Sequence, residues 1–308
     1  MFREKIPARQ LGAWLFAAVV PVGVQIMGGG SWLGTTCAAV LAYLLACLLW
    51  RNPREVTKWE SVLLLIYVVI LTGELLYPAV QSWPMGNGAP AVPLILLGLA
   101  AVSAGKGPSA AARVGAVLFW AVLVLYLTVF AAGGKDVRLN WLMPRWDIPD
   151  LLGVTVLLIP CGAAKLLIER GTPGKHGLLM VLFVSAGVLL TVGVMSPDLA
   201  VRIPNAFYEM SRSLDLLGVA RRFEALICAG TTVGWFALID LLLSLCGSYG
   251  QKIFPGRGKE VVWLCATGAA SWNLCGLHIM PIFLLVMGTV FWVVIPLLTQ
   301  GLGKIKKS

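Results

Sequence analysis

The feature that most limits how this chain can fold is the repetition of apolar stretches long enough to cross a bilayer. A helix rises 1.5 Å per residue, so about 20 residues span the roughly 30 Å of hydrocarbon. Runs such as LGAWLFAAVVPVGVQIM and GLLMVLFVSAGVLLTVGVM approach that length. Hydrocarbon holds no water to satisfy backbone N–H and C=O groups, so these runs must fold as helices that bond internally. Composition agrees: 59% of the 308 residues are hydrophobic and only 12% are charged, with a mean hydropathy of +0.88. The expected fold class is an all-α polytopic membrane protein. The basic segment MFREKIPARQ leads into a run that ends in GGGSW without the small-residue cleavage pattern of a secretory signal. A retained first helix is expected there.

Ten transmembrane helices are predicted, at 11–28, 31–50, 60–82, 90–105, 112–132, 149–168, 177–195, 223–246, 260–275 and 278–300. With both termini cytoplasmic, the inner segments hold seventeen of the 24 basic residues, among them Arg51, Lys106, Lys175, Arg257 and Lys306. The other seven lie in two longer outer loops, and the three short outer turns hold none, as the positive-inside rule requires. The net charge of +10 is therefore spread along the inner rim, where anionic lipid rather than nucleic acid is the expected partner. Trp32, Trp50, Trp59, Trp83, Trp141 and Trp146 fall at predicted helix ends and read as interfacial anchors. The seven cysteines lie in apolar spans without a CxxC pair, so neither a disulfide framework nor a zinc site is expected. His176 and His278 have no acid or cysteine close in sequence, and both are expected to be solvated or interfacial. No cofactor is implied.

Spans one and six each carry a Pro-x-Gly step about eleven residues in, Pro21-Val22-Gly23 and Pro160-Cys161-Gly162. Proline removes a backbone donor and glycine tolerates unwinding, so such a step can free amides and carbonyls near the bilayer midplane. Interrupted helices at matching positions in two halves mark the binding site of inverted-repeat transporters. The chain therefore divides into 11–132 and 149–300, a 5+5 inverted repeat in which helices 1 and 6 are expected to be broken. An outer loop at 196–222 carries an amphipathic segment. The candidate ligand-binding residues are Pro21, Gly23, Gln25, Pro160, Cys161 and Gly162. A plain proline kink, re-satisfied by neighbouring helices, is the other reading of each step.

Glu74 and Asp240 are the carboxylates that fall inside long apolar runs, and no Lys or Arg shares those runs. An acid in hydrocarbon is costly unless it is protonated, faces a wet cavity or meets a cation. The repeat makes their spans, three and eight, counterparts. Counted at 1.5 Å per residue, Glu74 lies about 21 Å and Asp240 about 10 Å from the inner edge, so direct contact is not expected. Helical spacing puts Tyr67, Glu74, Tyr77 and Gln81 on one seam and Asp240 with Ser244 and Gly247 on another. Glu74, Asp240 and Ser244 are the candidates for ion or proton coupling. The alternative for each acid is protonation and a hydrogen bond to a neighbouring helix.

The opening IPARQLGAWLF, the loop NWLMPRWDIPD, the outer segment RIPNAFYEMSRSLDLLGVARRFEALI and the end VVIPLLTQGLGKIKKS resemble the endospore germination permease family. This is the B-subunit of germinant receptors, within the amino acid–polyamine–organocation superfamily. The outer segment is the most specific, with Pro204, Arg212-Ser213-Leu214 and Arg222-Phe223-Glu224-Ala225-Leu226. The resemblance implies a LeuT-type ten-helix fold and an amino-acid-like small-molecule ligand. It also implies other germinant-receptor subunits as partners, including a lipoprotein, in the bacterial cytoplasmic membrane or spore inner membrane. Tyr208, Arg212, Arg222 and Glu224 are the candidate partner or lid residues.

Two functions follow. One is a permease-like subunit that binds a small solute and transports it or signals. The other is a ligand-free scaffold or assembly subunit with a degenerate transporter fold. An enzyme is not expected: there is no HExxH, no pair of intramembrane Asp at protease spacing, and no Ser with a His in reach.

Overall fold

The computed structural model describes residues 6–51, 56–81, 91–144, 147–163, 171–203, 205–214 and 223–299, and these are predominantly helical. The helices run α1 Ala8–Met27, α2 Trp32–Arg51, α3 Lys58–Gln81, α4 Ala91–Ala104 and α5 Pro108–Gly133. They continue with α6 Leu151–Leu157, α7 Ile159–Ala163, α8 Gly174–Met195, α9 Pro197–Arg202, α10 Ala206–Ser213, α11 Phe223–Ile253, α12 Gly258–Leu274 and α13 Pro281–Thr289. A π-helical turn, Val290–Val294, extends α13. Among the described residues seven helices are long and apolar enough to cross a membrane, and α4, α6–α7 and α12 are shorter. The chain is an integral membrane protein.

Burial sorts the helices by role. α1 is apolar on all sides and is enclosed on all sides, packed against α5, α8, α11 and α6. α2, α5 and α13 are only about one-third buried. They turn Leu41, Leu44 and Leu48, Val117 and Val124, and Ile282, Phe283 and Val286 outward, where lipid rather than water is the solvent. α11 crosses beside α1 and also meets α3, α4, α5 and α12. At 31 residues it continues seven past the predicted end of span eight. Hydropathy ends where the polar residues Ser248, Gln251 and Lys252 begin, but the helix ends only at the breaker pair Pro255-Gly256.

The two Pro-Gly steps differ. α1 runs unbroken through Pro21 and Gly23, contrary to the expected interruption. Further unwinding in this enclosed helix would strand more backbone groups away from water, so the single lost bond is tolerated. The Pro21 ring packs on Gly234 of α11, where a side chain would collide with it. Span six does break: α6 stops at Leu157, Leu158 forms a turn, and α7 resumes at Ile159. The proline ring at 160 clashes with the carbonyl four residues earlier and forces that stop.

Candidate functional site

At the end of the molecule where the sequence places its outer loops, three separate segments enclose a cleft of about 710 Å³. The end of α1 and the α1–α2 turn form one wall, with Gln25, Gly29, Ser31 and Trp32. Trp141, Asp147 and Asp150 come from the connection before α6, and Asp198, Arg202 and Asn205 from α9 and its flanks. Gly29 allows the closest approach, because a Cβ there would meet the Ala200 carbonyl. The Asp150 carboxylate is committed to the start of α6, accepting from the Leu152 and Gly153 N–H groups at 2.9 and 3.0 Å.

Gln25 is the central polar group of this cleft, lining it while only 6% exposed. Its Oε1 accepts from the Trp235 indole of α11 at 2.9 Å, and its Nε2 donates to Asn205 Oδ1 at 3.1 Å. An indole N–H can only donate, so it fixes which end of the amide is which. Asn205 itself has a left-handed backbone, φ 59°, at the start of α10. One glutamine thus ties the central helix to α11 and to the outer α9–α10 segment. Sequence spacing singled out Gln25 but not Asn205 or Trp235, which lie 180 and 210 residues away from it.

The other predicted ligand residues are close-packed. Gly23 faces Val184 of α8. The carbonyl of Pro160 accepts from the Trp50 indole at 2.8 Å. Trp50 is fully buried, so it is not the interfacial anchor expected from its position near a helix end. Cys161 Sγ lies 3.7 Å from the Ala42 carbonyl, and Gly162 abuts the Trp292 ring.

Glu74, with no Lys or Arg in its own apolar run, has several partners from α12 and the turn after it. Its Oε1 accepts from Ile279 N at 2.7 Å and from Trp272 Nε1 at 3.0 Å, while Oε2 lies 3.4 Å from His278 Nδ1. His278 therefore does meet an acid, and its ring also lies 5.0 Å from that of Tyr77. Tyr67 of the same seam donates to the Leu284 carbonyl at 3.1 Å. Tyr67 and Glu74 of this seam face protein, where they hold the end of α12 and the start of α13, while Tyr77 is half exposed. The Gln81 side chain lies outside the described residues.

Asp240 is a contrast: it is fully buried, and its Oδ2 accepts from Ser103 Oγ of α4 at 3.3 Å. Its Oδ1 has no hydrogen-bond partner, and neither has the Ser244 hydroxyl one turn along α11. In α10, Phe207 and Met210 are buried, with Phe207 stacked on Tyr126 at 5.5 Å. Tyr208 is half-buried, and Arg212 faces outward beside Glu209, 3.8 Å away. Arg222, Pro204, Trp83, Trp146 and the side chain of Glu224 lie outside the described residues. Among the described residues no cluster of His, Cys, Asp and Glu could hold a metal ion, and all seven cysteines are free thiols.

With its enclosed α1, its long α11 and its broken α6–α7, the helical arrangement is LeuT-like by its match to a solved structure. One solved structure it resembles is that of Mhp1, a nucleobase-cation-symport-1 family transporter, in a closed conformation with bromovinylhydantoin bound. The similarity has a TM-score of 0.53 at 14% identity and covers 92% of this chain and 75% of that one. At this identity the likeness is one of fold, and the structural neighbour is a transporter, not an enzyme. No protein-family model and no curated protein matches the sequence.

Proposed function

We propose that the chain is a transporter-fold membrane protein that binds a small solute entering through the outer cleft and read by Gln25. In this reading the ten spans form two five-helix repeats with both termini cytoplasmic, so the cleft opens to the extracytoplasmic side. The lower end of the path lies between the Pro21–Gly23 step and the Pro160–Gly162 break, which must part to admit solute. An amino-acid-like ligand, a coupled cation or proton and a place among germinant-receptor subunits follow from the resemblance to germination permeases. Anionic lipid neutralises the basic inner rim.

The observation that carries the proposal is the Gln25 amide, a buried polar group on the central helix that lines the cleft and joins α1 to α11 and α10. A ligand that replaced one of those bonds would change how these helices are tied. The test is thermal unfolding of purified protein against amino acids, nucleobases and hydantoins, each with and without sodium. A ligand at about 100 times its Kd stabilises by about 2.7 kcal/mol. Selective stabilisation by one class, abolished in Gln25→Ala, is the expected result. If no compound in the panel shifts the transition, the solute reading fails and a second one takes its place. That second reading is a scaffold subunit, supported by the close packing of Gly234, Val184, Trp50 and Trp292 around the two Pro-Gly steps.

A further inference from the structure

We propose that Asp240 is a proton-binding site, reached through the Ser103 hydroxyl and completed by that of Ser244. The proposal deepens the transporter reading by naming its coupled ion; it rests on that reading for the role of the site but not for its existence.

The geometry begins with an imbalance. A carboxylate has about four lone-pair positions, yet Asp240 has one hydrogen-bond partner, Ser103 Oγ. Oδ1 is unpartnered, and so is Ser244 Oγ, four residues on and therefore on the same face of α11. Both residues are 0% exposed. An ionised carboxyl buried without a cation would carry a large desolvation cost, whereas a neutral carboxylic acid carries little. The neutral acid also gains a donor, which a neighbouring hydroxyl oxygen can accept.

Among the described residues no competing charge bonds to this carboxyl. From α4 Asp240 meets only Ser103. α1 contributes Arg9, exposed at its first turn, and α5 contributes exposed Arg113 and buried Tyr126. On α3, Tyr67 and Glu74 are engaged with the α12–α13 side, and Lys58 and Glu60 lie at its first turn. α12 brings the Cys265 thiol, hydrogen-bonded to that of Cys246 of α11, and exposed Lys259 and Glu260; α10 carries Tyr208, Glu209 and Arg212 at the outer end. On α11 itself, Tyr249 is buried and Lys252 donates to the Val56 carbonyl at 3.3 Å. None of these forms an ion pair or hydrogen bond with Asp240.

A metal cation fits less well than a proton. The site supplies a carboxyl and two hydroxyls, and the Ser244 carbonyl is already taken by Ser248 Oγ at 2.9 Å. Access, by contrast, suits a proton. α4 has only 14 residues, and Ser103 is its penultimate one. Its hydroxyl is half-buried, next to the Gly105–Gly107 turn that carries exposed Lys106. A single hydroxyl therefore stands between the enclosed carboxyl and the basic, inner end of the molecule.

Infrared spectroscopy of the full chain in lipid tests this without any solute, so its outcome is separate from that of the ligand screen. The expected spectrum has a protonated-carboxyl C=O band at neutral pH that Asp240→Asn removes and Glu74→Gln leaves in place. Alkali should abolish the band reversibly, and Ser103→Ala, in protein that still unfolds cooperatively, should change the pH at which it disappears. Identical spectra for wild type and Asp240→Asn would overturn the proposal. So would a band that persists at every pH at which the protein stays folded, since that proton never exchanges. Loss of the band on adding sodium at fixed pH would overturn it in favour of a metal-ion site.

Discussion

Towards the C-terminal end of α3, Glu74 accepts an indole N–H from the last turn of α12 and a backbone N–H from the α12–α13 turn, and it lies beside the His278 imidazole of that turn. On α11, Asp240 receives one serine hydroxyl and leaves an oxygen bare. Both acids interrupt apolar runs, and sequence treats them as equivalent. Packing does not. A carboxyl surrounded by donors holds in place the segments that donate to it. A carboxyl with almost no donors is stabilised as an acid, and its proton becomes the part that can change. The former is a fastening; the latter is a group with two chemical states.

The sharpest way to break this contrast is to remove the fastening. Glu74→Ala should cost about 2 kcal/mol, because the part-buried Trp272 and Ile279 N–H groups lose their acceptor, each at about 1 kcal/mol. Thermal unfolding in detergent measures it, and Glu74→Gln should recover part of the loss through its remaining carbonyl oxygen. A cost near zero for the alanine variant would mean that the α12–α13 turn holds itself. Next in size is Trp272→Phe, which removes one donor to Glu74 and should cost about 1 kcal/mol. Its effect should fall well below additivity when combined with Glu74→Ala, since the two share a bond. The smallest change is expected for Asp240→Asn, about 0.5 kcal/mol or less in either direction, as a neutral group replaces a neutral group of similar shape. Stabilisation by several kcal/mol instead would show that wild-type Asp240 is an unpaired anion.

Much of the helical layout was legible because hydrocarbon imposes one rule on every span. The described helices start and stop within a few residues of the apolar runs, except at α11, whose polar last turns fall outside any hydropathy window. Pro160 correctly marked a break, while the same step at Pro21 did not. Gly234, 213 positions further on, gives the Pro21 ring room to stay in an unbroken helix, a contact no local pattern shows. His278 looked isolated because its acid is 204 residues away. Trp50 looked like a surface anchor because nothing local shows that Pro160 would present it a carbonyl. Gln25 could be singled out from its place beyond the Pro-Gly step, but the walls of its cleft come from loops that converge only in three dimensions.

The π-helical turn at Val290–Val294 gives the last described helix one residue of slack. Trp292 lies within it, fully buried, its ring 5.1 Å from that of Tyr67 and against Gly162 at the α6–α7 break. An α-helix advances about 100° per residue, so taking one residue out of that turn would rotate everything beyond it by that angle. The indole is thus set by a winding number as well as by its neighbours. A single-residue deletion there would work like slipping one tooth on a gear, swinging the wedge behind the broken helix while leaving the composition of the core almost unchanged.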